Sequence, residues 1–184
     1  MPRQVFLFDP PDRFVAGTVG QPGDRTFYLQ ASGSGRTVSV ALEKVQVQVL
    51  ADRLEELLEE VRRRGAGEVP VVSPRGLEDT APLDAPVEEE FRVSAMGLAW
   101  DGDLDRVVVE ALAASDAEAG EVEPLSESED GPDALRVRLT AEAARAFIKR
   151  AQRVIAAGRP PCPLCALPLD PEGHVCPRQN GHRR

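Results

Sequence analysis

The sequence predicts an α+β protein: a mostly antiparallel sheet of hairpins, two amphipathic helices on one face of it, and a small C-terminal zinc knuckle. Three observations predict it. Short alternating apolar runs recur between Gly, Pro and Asp turns, and two longer segments switch to apolar spacings of three and four. Every cysteine and both histidines fall within 159-RPPCPLCALPLDPEGHVCPRQNGHRR-184.

Val5–Phe8 is a short apolar run stopped by Asp9-Pro10-Pro11, and Arg13–Val19 resumes extended character before the turn Gly20-Gln21-Pro22-Gly23. In 25-RTFYLQA-31 and 36-RTVSVAL-42 alternate residues are apolar, and Ser32-Gly33-Ser34-Gly35 joins the two as a hairpin. From Glu43 the period changes. Val47, Leu50, Leu54, Leu57 and Val61 form a helical stripe, closed by three arginines and Gly65. Val45, Val47 and Val49 also alternate, which leaves open a longer preceding strand.

Residues 66–87 are rich in Pro and Gly and read as a long connection with a short strand at Val69–Val72. Phe91–Trp100 and Arg106–Leu112 read as a hairpin around Asp101-Gly102-Asp103. In 135-LRVRL-139 Leu and Val point inward while Arg136 and Arg138 point outward. Thr140 caps the second helix, whose stripe is Ala144, Phe147, Ile148, Ala151, Val154 and Ile155, with Gly158 and two prolines as its stop. The order admits a duplicated unit of β-meander plus helix, although the halves show no residue-level repeat.

The chain has 184 residues, enough for one core and an appendage: an α+β domain over 1–158 and a zinc-binding tail over 159–184. Aromatic residues are only 4%, so Val, Leu and Ala must fill that core. Of the net charge of −9, the segment 116–133 supplies most, with eight acids and no base; it reads as a solvated loop whose removal over Glu118–Glu129 leaves folding intact. The four-residue apolar run near the N-terminus is too short for a signal-peptide core, and no stretch approaches the ~18 apolar residues that span a bilayer. A cytoplasmic protein without membrane contact is expected, and in that reducing compartment clustered cysteines point to metal rather than disulfides.

Cys162-Pro163-Leu164-Cys165 is a knuckle in which a tight turn brings two thiolates together, and Cys176 returns after ten intervening residues. Tetrahedral zinc needs a fourth ligand. His174 lies two residues from Cys176, on the same side of an extended segment, whereas His182 follows Cys176 after five residues and reaches the site if Gln179-Asn180-Gly181 turns back. Spacing alone does not choose. A redox CxxC sits at a helix start, whereas Pro163, Pro168, Pro171 and Gly173 here describe turns. A thiolate-rich site with four protein ligands is closed, so the zinc is read as structural.

The opening VFLFDPPDRFVAGTVGQPGDRTFYLQA, the following VSVALEKVQVQVLADRLEELL and the tail GRPPCPLCALPLDPEGHVCPRQNG resemble an actinobacterial family of unknown function, over essentially the whole chain. The resemblance implies Cys162, Cys165, His174 and Cys176 as the ligands, with His182 second. Ala166 stands where Gly is common after such a knuckle.

No GxSxG elbow, HExxH, P-loop or GxGxxG motif appears, and the body contains no histidine for His-dependent catalysis. The reading is a non-catalytic zinc-containing binding or adaptor protein with a protein partner. The alternative is an enzyme or small-ligand-binding protein using Asp9, Asp12, Arg13 and Arg25 of the N-terminal turns, for which a cleft gathering the four is required. Nucleic-acid binding through the basic tail is a minor alternative, disfavoured by a pI near 4.8 and by the lack of aromatic residues beside the tail arginines.

Overall fold

A computed structural model describes residues 3–115, 125–128, 130–169 and 173–178. Seven strands form one sheet: β1 (Val5–Phe8), β2 (Arg13–Gln21), β3 (Asp24–Gly33), β4 (Arg36–Leu42), β5 (Glu89–Asp101), β6 (Arg106–Ala113) and β7 (Ala134–Leu139). Helix α1 (Lys44–Arg64) follows β4, and α2 (Ala141–Ala156) follows β7. The sheet order is β1-β7-β6-β5-β4-β3-β2. Hairpins dominate, but the sheet is mixed: β4 runs parallel to β5 across the α1 crossover, and β1 runs parallel to β7. After β1, three antiparallel strands and a helix occur twice, so the element order has the duplicated form.

The core lies where the sequence alternation and the helical stripes meet. Leu29, Val40, Val107, Val109 and Leu135 from the sheet pack with Leu50, Leu54 and Leu58 of α1 and with Ala144, Phe147 and Ala151 of α2. Phe14 stacks on Phe147 with centroids 4.7 Å apart, which fixes α2 against the edge strand β2. Each fully buried Leu contributes ~1.5–3 kcal/mol through removal from water. Among the described residues no helix is long and apolar enough to cross a membrane.

Helix α1 begins at Lys44, so the alternating valines belong to the helix and not to an extended β4. Gln46 accepts a hydrogen bond from the Glu43 backbone N–H at 2.8 Å and closes that start. At the other end Gly65, at φ 62°, and Ala66 donate to Arg62 and Val61 carbonyls, a left-handed stop that a Cβ would strain. Leu58 is fully buried and Leu57 only partly, a shift of the expected stripe by one residue.

Two further expectations are corrected. No strand forms at Val69–Val72, where Pro70 lacks a ladder donor and Val71 and Val72 are exposed. Instead the connection between α1 and β5 is tied down by side chains: Arg145 donates to Pro70 O, Arg150 and Arg153 to Asp79 O, and Gln30 exchanges hydrogen bonds with the Asp84 backbone. Leu83 covers Gly17 of β2 so closely that a Cβ there would lie 2.6 Å from it. The connection thus covers the face of β2 and β3 that carries Gly17 and Gln30.

Arg136 does not point into solvent. It is buried against Glu110, with Arg3 on the other carboxylate oxygen, at 2.7 and 2.6 Å. Both arginines also donate to Ser126 O, so the described part of the acidic segment is anchored on the sheet. Residues 116–124 and 129 lie outside the described residues.

Candidate metal centre

The tail is built by backbone bonds around the first knuckle. Leu169 N–H donates to Pro160 O, Cys162 N–H to Leu167 O and Ala166 N–H to Cys162 O, which folds 160–169 back on itself. Ala166 closes the turn at φ 60°, the left-handed conformation that Gly adopts without cost. Gly173, at φ 91°, then redirects the chain so that His174 and Cys176 return to the knuckle.

The ligand atoms of Cys162, Cys165, His174 and Cys176 all lie within 4.8 Å of one another. Cys162 Sγ is 3.9 Å from Cys176 Sγ, and Cys165 Sγ is 3.7 Å from His174 Nε2. A tetrahedron with metal–sulfur distances of ~2.3 Å has sulfur–sulfur edges of about 3.8 Å, and a sulfur–nitrogen edge slightly shorter. These two separations are close to those edges, so the group can hold a metal ion. His174 Nδ1 faces Pro168 O at 3.4 Å, which leaves Nε2 directed at the sulfurs.

The thiols differ in their surroundings. Backbone N–H groups of Cys165 and Leu164 hold the Cys162 thiol down to about 6, making it a thiolate at neutral pH, the form that ligates metal. Burial pushes the Cys165 thiol up. Contact with Cys176 raises the His174 imidazole above its ordinary value. Cys162 and Cys176 are buried, whereas Leu164, Leu167 and Val175 beside them are exposed. His182 lies outside the described residues.

The acids and arginines of the N-terminal turns are not gathered. Asp9 pairs with Arg138, and Arg13 grips Asp79 through two bonds and Asp84 through a third. Arg25 donates to Val154 O and Ala157 O at the end of α2. Asp12 and Arg13 line a cavity of about 290 Å³ with Phe147 and Arg150, but neither Asp9 nor Arg25 reaches it. Asp79, which sequence reasoning passed over, sits between Arg13 and Arg150, and the Arg13 bonds hold its carboxyl below the ordinary range. Glu110 was also passed over; its signal was an acid inside the apolar run 106-RVVVEAL-112.

Comparison with known proteins is consistent with the breadth of the sequence resemblance. No curated protein and no solved structure matches the chain. A family model described as a protein of unknown function matches residues 6–176, from β1 to the last cysteine of the cluster. With the fold and the tail both inside the matched span, the chain belongs to this family, DUF3090.

Proposed function

We propose that the protein is a non-catalytic, zinc-containing binding protein in which one Zn²⁺, held by Cys162, Cys165, His174 and Cys176, clips the tail 159–184 to an α+β body of residues 1–158. The observation that carries this reading is the set of four ligand atoms within 4.8 Å of one another, two of whose separations, 3.9 and 3.7 Å, are near a tetrahedron's edges. Three sulfurs and one imidazole favour zinc over the oxygen-seeking magnesium and calcium. Four protein ligands leave no open position for water or substrate, which supports a structural metal. Its chemistry is to replace a hydrophobic core in a segment with exposed Leu164, Leu167 and Val175.

The cleft that the catalytic alternative requires is not formed by the charged turns of the body. Asp9, Arg13 and Arg25 are engaged in holding the fold, so the catalytic alternative loses its constellation. The partner is read as a protein. Metal analysis of protein purified without added metal is expected to give one zinc per chain and no visible thiolate-to-iron absorption. Well under half an equivalent of zinc with the thiols reduced, or stoichiometric iron, refutes the zinc assignment.

A further inference from the structure

A cavity of about 510 Å³ opens where the β2–β3 turn, the start of α1, the end of α2 and the tail meet. Its walls include Gly23, Arg25, Phe27, Lys44, Arg159 and Pro168, and no carboxylate is among the described residues that line it. In a chain of net charge −9 this is a local reversal of sign. Arg25 and Lys44, which both line this concavity, are like charges that an anion between them would stabilise.

Each wall is built in a way that favours such an anion. Arg25 lies over the Phe27 ring at 4.8 Å and is fixed by two bonds to α2 carbonyls; of five guanidinium N–H groups, two are used there and three remain. Gly23, at φ 96°, leaves room for the Arg159 guanidinium, which a Cβ would meet at 2.8 Å. The chain has two lysines: Lys149 pairs with Glu78, and Lys44 has no partner among the described residues. Lys44 also opens α1, whose first turn contains no acid, so its charge sits at the positive pole of the helix dipole. The neighbouring Glu43 does not compensate, because its carboxylate is drawn to Arg92 at 2.8 Å. A residue that breaks a local rule without a partner in the fold points to function.

We propose that this cavity binds a phosphate-bearing small molecule. Lys44 supplies a point charge and Arg25 a planar fork that matches phosphate oxygens, with the Arg159 guanidinium beside them against Gly23. More than one cation calls for a dianion or higher charge, which a phosphate group provides and a single carboxylate does not. The volume lies within the ~300–1,000 Å³ of small-molecule sites.

The test uses the full chain in about 0.15 M salt, where long-range attraction is screened. Inorganic phosphate is titrated while backbone amide resonances are followed, with acetate as the monoanion control and zinc content measured in every sample. Phosphate is expected to shift Gly23, Arg25 and Lys44 amides saturably and acetate is not. Lys44→Gln weakens phosphate binding at least tenfold, Lys149→Gln leaves it unchanged, and phosphate slows acetylation of Lys44 but not of Lys149. Relief of the like charge raises the melting temperature of phosphate-free Lys44→Gln by roughly 1–3 °C, which also establishes that the variant folds. Non-saturating shifts, equal response to acetate, or equal loss in both lysine variants overturns the proposal. Zinc content and the Lys44 readout are separate measurements, so absent zinc refutes the metal reading while saturable, Lys44-dependent phosphate binding decides this one.

Discussion

Two regions of this chain hold their shape by different means. The body buries Leu29, Leu54, Leu58 and Val107 completely, and even its long connection is fastened to that core by arginines. The described tail buries chiefly Cys162 and Cys176 and leaves Val175 82% exposed. Removal of apolar surface from water holds the body, whereas the described tail has backbone bonds and four convergent ligand atoms in place of a core. The difference teaches that a segment without a core of its own can be ordered by four side chains, provided something joins them.

The largest expected effect breaks the tail alone. His174→Ala should weaken zinc by on the order of a hundredfold, a quarter or so of the ~10 kcal/mol or more that such sites supply, while His182→Ala does little. Competition with a chelating dye reads both. Full chelation should abolish tail order and leave the main melting transition of the body in place; one cooperative transition lost on chelation would join the two regions.

Next comes a break in the body that burial alone does not explain. Glu110→Ala leaves Arg3 and Arg136 buried without their carboxylate and should cost about 3–5 kcal/mol in denaturant unfolding. Glu110→Gln, which retains an acceptor, should cost less. Deleting residues 125–128 removes the Ser126 carbonyl from both arginines and should destabilise by about 2 kcal/mol or more, in contrast to the tolerance expected from composition.

A smaller effect is pH-dependent. The Asp79 carboxyl is held below its ordinary range by Arg13, so its contribution is present above the unfolded value near ~4 and is lost as pH falls through the folded value. Wild type should lose stability more steeply below about pH 4 than Asp79→Asn does; equal slopes would mean the pair contributes nothing net. The smallest effect sharpens the tail: Ala166→Gly relieves a left-handed alanine and should tighten zinc by about two- to fivefold, equivalent to ~0.5–1 kcal/mol.

Much of this was legible in the chain because it is local. The switch from alternation at Val38, Val40 and Leu42 to helical spacing after Glu43 marks β4 and α1, and Thr140 marks the start of α2. The Cys162–Cys165 knuckle is likewise a matter of four consecutive residues. Polar partnerships across long separations were not legible. Arg136 reads as an outward residue by period, and only Glu110 on β6 and Arg3 before β1 explain its burial.

The sequence by itself determined the seven strands, the two helices, most of their inward faces and the candidate ligands, since each follows from period, capping or spacing within a few residues, while the strand it also suggested at Val69–Val72 does not form. Only the tertiary structure decided that β1 joins β7 in parallel, that the connection from α1 to β5 covers a face of β2 and β3, that His174 lies among the three sulfurs, and that Arg25, Lys44 and Arg159 share one cavity. The physical reason is that a side chain's period states which way it points, but the charge or ligand it meets there comes from elements brought together by burial of the whole core.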